Sequence, residues 1–342
     1  MTDLEVLTPR DVPLGGPRAM TVRRTLPQRH RSLVGAWCFL DHYGPDDVAE
    51  TGGMVVAPHP HTGLQTVSWL FTGEIEHRDS AGNVAMVRPG ELNLMTAGHG
   101  ISHSEVSAPT TTVLHGAQLW VALPSSARDT GPGFVHHVPE PVRREGLEAR
   151  VFLGSLLGVA SPVPTHTPLL GAELLLDPGA VVTLDVDPAF EHAVLVDAGS
   201  VALEGGAVER DELGYLAPGP SGLELRAGQE PTRLLLLGGP PFGEQVVMWW
   251  NFLGSSHDEV VAAREAWQAQ VVADEGAEDG PEDGPETHPD AAGGLPERPA
   301  ASQRVVPAGT DVRPGRFGIV PGQPLPPIPA PPLPNARLRA RG

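Results

Sequence analysis

From about residue 18 to residue 250 the chain is cut repeatedly by glycine, proline, aspartate and asparagine, and the apolar runs between the cuts are short. Runs of that kind are strands, and their close spacing is the signature of a sandwich or barrel. Helical periodicity arises only late. Ser256-His257-Asp258-Glu259 forms a capping box, and Val260, Ala263, Trp267 and Val271 then fall on one face. This predicts a helix over 256–273 docked on an all-β body.

The strand region repeats. Aligning Gly73 with Gly199 superposes Thr66–Gly73 on His192–Gly199, and with a small gap Pro89–Gly98 lies over Arg210–Gly219. The expected fold class is therefore all-β, two tandem sandwiches or β-barrels with a short carboxy-terminal helix and an extended Pro-rich tail. Expected boundaries are an amino-terminal barrel over 1–135, a degenerate barrel over 136–253, the helical unit over 254–273, a linker over 274–303 and the tail over 304–342. The linker is Gly, Pro, Glu and Asp with almost no large apolar side chain, so it buries too little surface to fold.

Within the first repeat stand His59-Pro60-His61 and His103-Ser104-Glu105. Residues i and i+2 of a strand share a face, so each pair can aim two ligand groups in one direction. Three imidazoles and a carboxylate converging on a point make a divalent transition-metal site. Neither pair is decisive alone: four His-x-acid pairs occur, against about 1.7 expected from composition. The surrounding turn residues carry the signal. Pro60 has no N–H to give a central ladder, so it predicts a barrel rim or edge. The assignment is His59, His61, His103 and Glu105 as metal ligands. Nitrogen and oxygen ligation without sulfur suits Fe(II), Mn, Co, Ni or Cu, with Zn also admissible, and affinity alone does not select among them. In the second repeat Asp185 and Asp187 fall where His59 and His61 lie, and Glu224 and Arg226 where His103 and Glu105 lie. Those acids read as ordinary exposed strand-end residues.

These motifs resemble the pirin family of the cupin superfamily. The resemblance rests on Pro58 through Gly63, Gly73 through His77, Pro89 through Leu92, and Met95 through Glu105. Leu40 through Gly44, Met248 through Phe252 and Arg316-Phe317-Gly318 extend it across most of the chain outside residues 274–303. One position departs: Gln65 stands where pirins carry a glutamate. The resemblance implies two jelly-roll-like cupin β-barrels, iron as the metal, and a tail packed back on the body. It also implies activity like that of quercetin 2,3-dioxygenase, in which O2 cleaves the central ring of a flavonol with loss of CO. Its substrates would be a small aromatic molecule such as a flavonol, and O2. Glu105, the one ligand able to accept a substrate proton, is the candidate catalytic base for that activity. The alternative it implies is a non-haem iron protein that senses redox state and binds a transcriptional or metabolic protein partner.

Composition excludes other classes. The chain has no lysine, which removes Schiff-base, pyridoxal-phosphate and Walker-A chemistry. A net charge of −19 argues against direct contact with nucleic acid. The single cysteine, Cys38, forbids a disulfide within the chain and reads as a buried small hydrophobe in a reducing compartment. With no apolar leader and no run of about 18–20 apolar residues, a cytoplasmic location without a membrane span is expected. His77-Arg78-Asp79 reads as a turn and His99 as a loop or pocket residue. Trp69, Trp120 and Phe71 are candidates for core or an aromatic pocket, and Arg23, Arg24, Arg29 and Arg31 for a salt-bridged surface.

Overall fold

The computed structural model describes residues 4–14, 20–275 and 315–342. The expected linker at 274–303 lies outside the described residues except for its first two positions, which end the helix.

Two barrels follow one another, each a large sheet facing a small one. The first large sheet runs, in spatial order, Gly133–His137, Leu92–Thr96, Leu64–Thr72, Val113–Ala122, Trp37–Asp47, Thr21–Leu26 and Arg10–Pro13. Its small sheet is Val55–His61, Ile101–Ser107, Ile75–Asp79 and Val84–Val87. The second barrel repeats the order. The large sheet centres on Leu213–Leu216, Glu191–Ala198, Thr232–Gly239 and Leu170–Leu176, and the small one is Val181–Asp185, Gly222–Ala227, Val201–Leu203 and Gly206–Val208. The all-β expectation and the internal repeat both hold, and every named pairing is antiparallel. One strand crosses over: Glu5–Leu7 pairs with Leu213–Leu216, so the unit expected over residues 1–135 gives its first strand to its neighbour. Val55–His61 is an edge strand, which is why Pro60 is tolerated there.

The large sheets pack face to face. Trp37, Leu40, Val67, Trp69 and Leu119 of the first meet Phe152, Leu195, Leu235 and Leu237 of the second in one buried cluster. Trp69 thus belongs to this seam, with its ring 4.5 Å from that of Phe152. The indole N–H of Trp37 donates across the seam to the carbonyls of Leu170 and Gly238, both at 3.2 Å. At the edge of the seam the carboxylate of Asp197 meets His42 Nε2 at 2.7 Å and His115 Nε2 at 2.5 Å. Asp197 and His115 each sit at a register shift of their strands. A bulge re-aims a side chain, and here two bulges aim an imidazole and a carboxylate at one another.

The second barrel is filled by Val182, Leu184, Leu223, Leu225 and their neighbours. Asp185, Asp187, Glu224 and Arg226 are exposed on the alternate positions. The period-2 alternation places these acids outside while the first barrel's histidines face inside.

The helix His257–Glu275 buries Val260, Ala263, Trp267 and Val271 as expected. Half of the expected capping box forms, with Glu259 N–H donating to Ser256 Oγ at 3.2 Å, while Glu259 Oε2 accepts one residue earlier, from Ser255 N–H at 2.7 Å. The tail returns over this helix, with Phe317 buried and the Trp267 indole donating to the Ile328 carbonyl at 2.8 Å. Trp267→Ala is expected to cost roughly 3–5 kcal/mol by emptying this junction. Urea unfolding measures it, and a loss under about 1 kcal/mol would show that the helix and tail dock without it.

Candidate metal centre

The hairpin His61-Thr62-Gly63-Leu64 joins an edge strand of the small sheet to a central strand of the large one. Gly63 has φ +70°, and a Cβ there would run into the Leu253 carbonyl oxygen. Only glycine serves both demands, and the close approach anchors the turn below His61. Ile101–Ser107 lies between Val55–His61 and Ile75–Asp79, with His103 opposite His59 on one side and opposite Asp79 on the other.

Three of the four expected ligands converge. Donor atoms of His59, His61 and His103 lie within 4.8 Å of one another, all buried. Burial holds their pKa values down: His59 falls to about 4, and His61 and His103 lie well below the usual imidazole range. All three are therefore neutral near pH 7 and carry a lone pair. His59 Nδ1 donates to the Ala57 carbonyl at 2.9 Å, which leaves its Nε2 free for the centre.

The tautomer of His103 follows from a buried chain of contacts. Asp79 accepts from the Ala81 and Asn83 amides and from the Asn83 side chain. It is an acceptor, so His77 Nε2, 3.3 Å from Asp79 Oδ2, donates to it. His77 Nδ1 then accepts from His103 Nδ1 at 3.3 Å. That leaves the His103 Nε2 lone pair aimed at His61 Nε2, 3.1 Å away. Nitrogens this close need a proton or a cation between them. A divalent transition metal fits that donor set, and a ligating imidazole with its other nitrogen tied to an acceptor is its common setting. His77 and Asp79, read from sequence as a turn, are thus buried members of a strand. Their chemistry was hidden because strand pairing alone brings them against His103.

Glu105 is buried but held differently. It accepts from Ser68 Oγ at 3.0 Å and Gln118 Nε2 at 3.4 Å, and its donor atoms group with those of His77 and His103. Burial raises its pKa, opposed by His77 and these hydrogen bonds. Gln65 is buried and donates to Thr96 Oγ1.

His59, His61 and Glu105 open onto a cavity of about 480 Å3, with Phe39, Trp120 and Trp249 in its walls. Such a volume suits a small organic molecule. His99 is exposed, and its carbonyl accepts from Arg316. Cys38 is buried, and burial pushes its thiol up to about 12, which suits a small hydrophobe. Arg23, Arg24 and Arg31 pair with Asp211, Asp41 and Glu5. No helix among the described residues is long and apolar enough to cross a membrane.

His77→Phe keeps the ring and removes the acceptor for His103. Metal affinity is expected to fall about 10–100-fold, measured by competition with a chelator. An affinity within twofold of the parent would mean that His77 does not orient His103.

Tandem jelly-roll barrels, the first with an imidazole-lined cavity, define a two-domain cupin protein. Comparison with known sequences narrows this class. The family model for pirin matches residues 19–121, and that for the pirin C-terminal cupin domain matches residues 171–273. A Pseudomonas aeruginosa protein provisionally named as a quercetin 2,3-dioxygenase is 46% identical over 266 residues, 78% of this chain and 84% of that protein. A pirin-like protein of Caulobacter vibrioides is 38% identical over 72% of this chain and 88% of its own length. The crystal structure of a quercetin 2,3-dioxygenase from Acinetobacter baumannii superposes with a TM-score of 0.81 at 34% identity, covering 98% of this chain and 97% of that one. The chain belongs to the pirin family.

Proposed function

We propose that the protein is a metal-dependent dioxygenase acting on a flavonol-like aromatic substrate, with Fe(II) as the metal. The observation that carries this reading is the group of three buried, neutral imidazoles, two of which, His59 and His61, open onto a cavity of about 480 Å3 with aromatic walls. The names of the Pseudomonas and Acinetobacter relatives support the reaction class.

His59, His61 and His103 would hold the ion, and Glu105 would complete the set. When bound, the metal acts as a Lewis acid toward the substrate hydroxyl and makes O2 chemistry available. The protein's residues do the rest. Trp120 and Phe39, stacked on one another in the cavity lining, give an apolar surface for an aromatic ring, and the burial of His59, His61 and Glu105 limits water at that end. Glu105 shares that cavity and accepts the proton of the substrate hydroxyl, while Ser68 and Gln118 hold the carboxylate in place.

The test is anaerobic loading of the metal-stripped protein with Fe(II), followed by quercetin and air. Loss of flavonol absorbance with CO release, dependent on metal and lost in Glu105→Gln, is the expected result. No metal-dependent loss with any flavonol sinks the reading. Metal analysis of the protein as isolated identifies the native ion.

A further inference from the structure

The cavity has two chemically different ends. His59, His61 and Glu105 form the buried end, and Arg10 and Arg24 line it nearer solvent. The two arginines stand directly opposite each other across Arg10–Pro13 and Thr21–Leu26. Like charges facing across a strand pair repel, so such a pair calls for anions.

Arg24 has one. Its Nε and Nη2 reach the two carboxylate oxygens of Asp41, both at 2.7 Å. Arg10 has a hydrogen bond to the Pro27 carbonyl at 3.0 Å and no carboxylate partner among the described residues. Partial burial and the charge of Arg24 disfavour the Arg10 cation, Asp41 partly offsets them, and Arg341 of the tail adds to the repulsion. This end of the cavity therefore has more cation than anion, in a chain whose net charge is −19.

A continuous aromatic wall joins the ends. The Arg24 guanidinium lies over Phe39, 4.4 Å from the ring centre. Phe39 stacks on Trp120 at 3.9 Å with planes 12° apart. Trp120 meets His61 edge-on at 5.1 Å. A planar ligand set along the edges of this stacked column would point one end at the imidazoles and the other at the arginines that line the same cavity.

We propose that Arg10 is a specificity residue of this cavity, selecting planar aromatic ligands that carry an anionic substituent, such as a carboxylate or sulfonate, at the end away from the imidazoles. This rests on the cavity being the substrate site of the dioxygenase reading. It adds a charge requirement that the fold does not impose: an Arg–carboxylate contact is charge-assisted, and its counterpart on Arg24 is already taken.

The experiment measures binding rather than turnover. Anaerobic Fe(II)-loaded protein is titrated with 3-hydroxyflavone and with its 4′-carboxylate, following quenching of the tryptophans that line the cavity. The carboxylate is expected to bind about tenfold more tightly at low salt. That preference should fall within twofold in Arg10→Gln, shrink in high salt, and persist in Arg29→Gln, an exposed arginine outside the cavity. Equal affinities, a preference that survives Arg10→Gln, or no binding of either compound would each overturn the proposal. Admitting air afterwards tests the reaction separately. A preference without ring opening would sink the dioxygenase reading and leave the charge selection standing.

Discussion

His103→Ala is expected to abolish stoichiometric metal binding, with affinity reduced more than about 100-fold. Losing an outer-shell partner already costs about 10–100-fold, and His103 does more than such a partner. Its Nε2 faces His61 Nε2 at 3.1 Å, and its Nδ1 carries the link to His77. Removing the ring deletes one donor and strands the His77–Asp79 pair. The readout separates binding from folding. Metal at a hundredfold excess over Kd stabilises the parent by about 2.7 kcal/mol, so its Tm should rise on loading. The variant should fold without metal and show no such rise. A variant that still takes up one ion per chain with an unchanged rise would remove His103 from the centre.

Asp197→Ala is expected to destabilise the fold by roughly 3–5 kcal/mol, the usual cost of removing one partner from a buried ion pair. Asp197 is buried against His42 and His115, and its other oxygen lies 3.4 Å from Arg233 Nη1. The substitution leaves Arg233 and two imidazoles facing a void at the barrel seam. Burial alone would raise the Asp197 pKa, but hydrogen bonds and charge from His115 and His42 outweigh it and hold the carboxyl well below its ordinary 3.8. The sign follows: a carboxyl depressed in the folded state binds more protons when unfolded. Its contribution is complete above the unfolded value near 3.8 and disappears as pH falls below it. The parent should therefore lose more stability than Asp197→Ala between pH 5 and the acid limit. Parallel stability–pH curves for the two proteins would remove Asp197 as a seam ion pair.

How much of this was legible in the chain differs by element. The turn punctuation marked the strands, and the glycine spacing of the two halves revealed the repeat, because turns and strand length are local properties. The same locality exposed the helix, whose capping box and buried face lie within twenty residues. His59 and His61 were readable because a strand alternates its side chains, so their common face is written in their spacing. His103 and Glu105 were paired on the same argument, yet Glu105 is drawn toward Ser68 and Gln118, and no spacing rule contains those partners.

What the sequence determined by itself was the class of fold and the kind of chemistry its first barrel can host, since both follow from short-range periodicity and from which side chains are present or missing. Tertiary structure alone decided the rest. It placed His77 behind His103, set the surplus positive charge of Arg10 at the same cavity as the imidazoles, and joined His42 and His115 to Asp197 across the seam. Those contacts span from tens of residues to more than a hundred, and register shifts in the strands bearing His115 and Asp197 aim two of the side chains. A register shift reverses which face a residue occupies, so no pattern within one strand could have announced them.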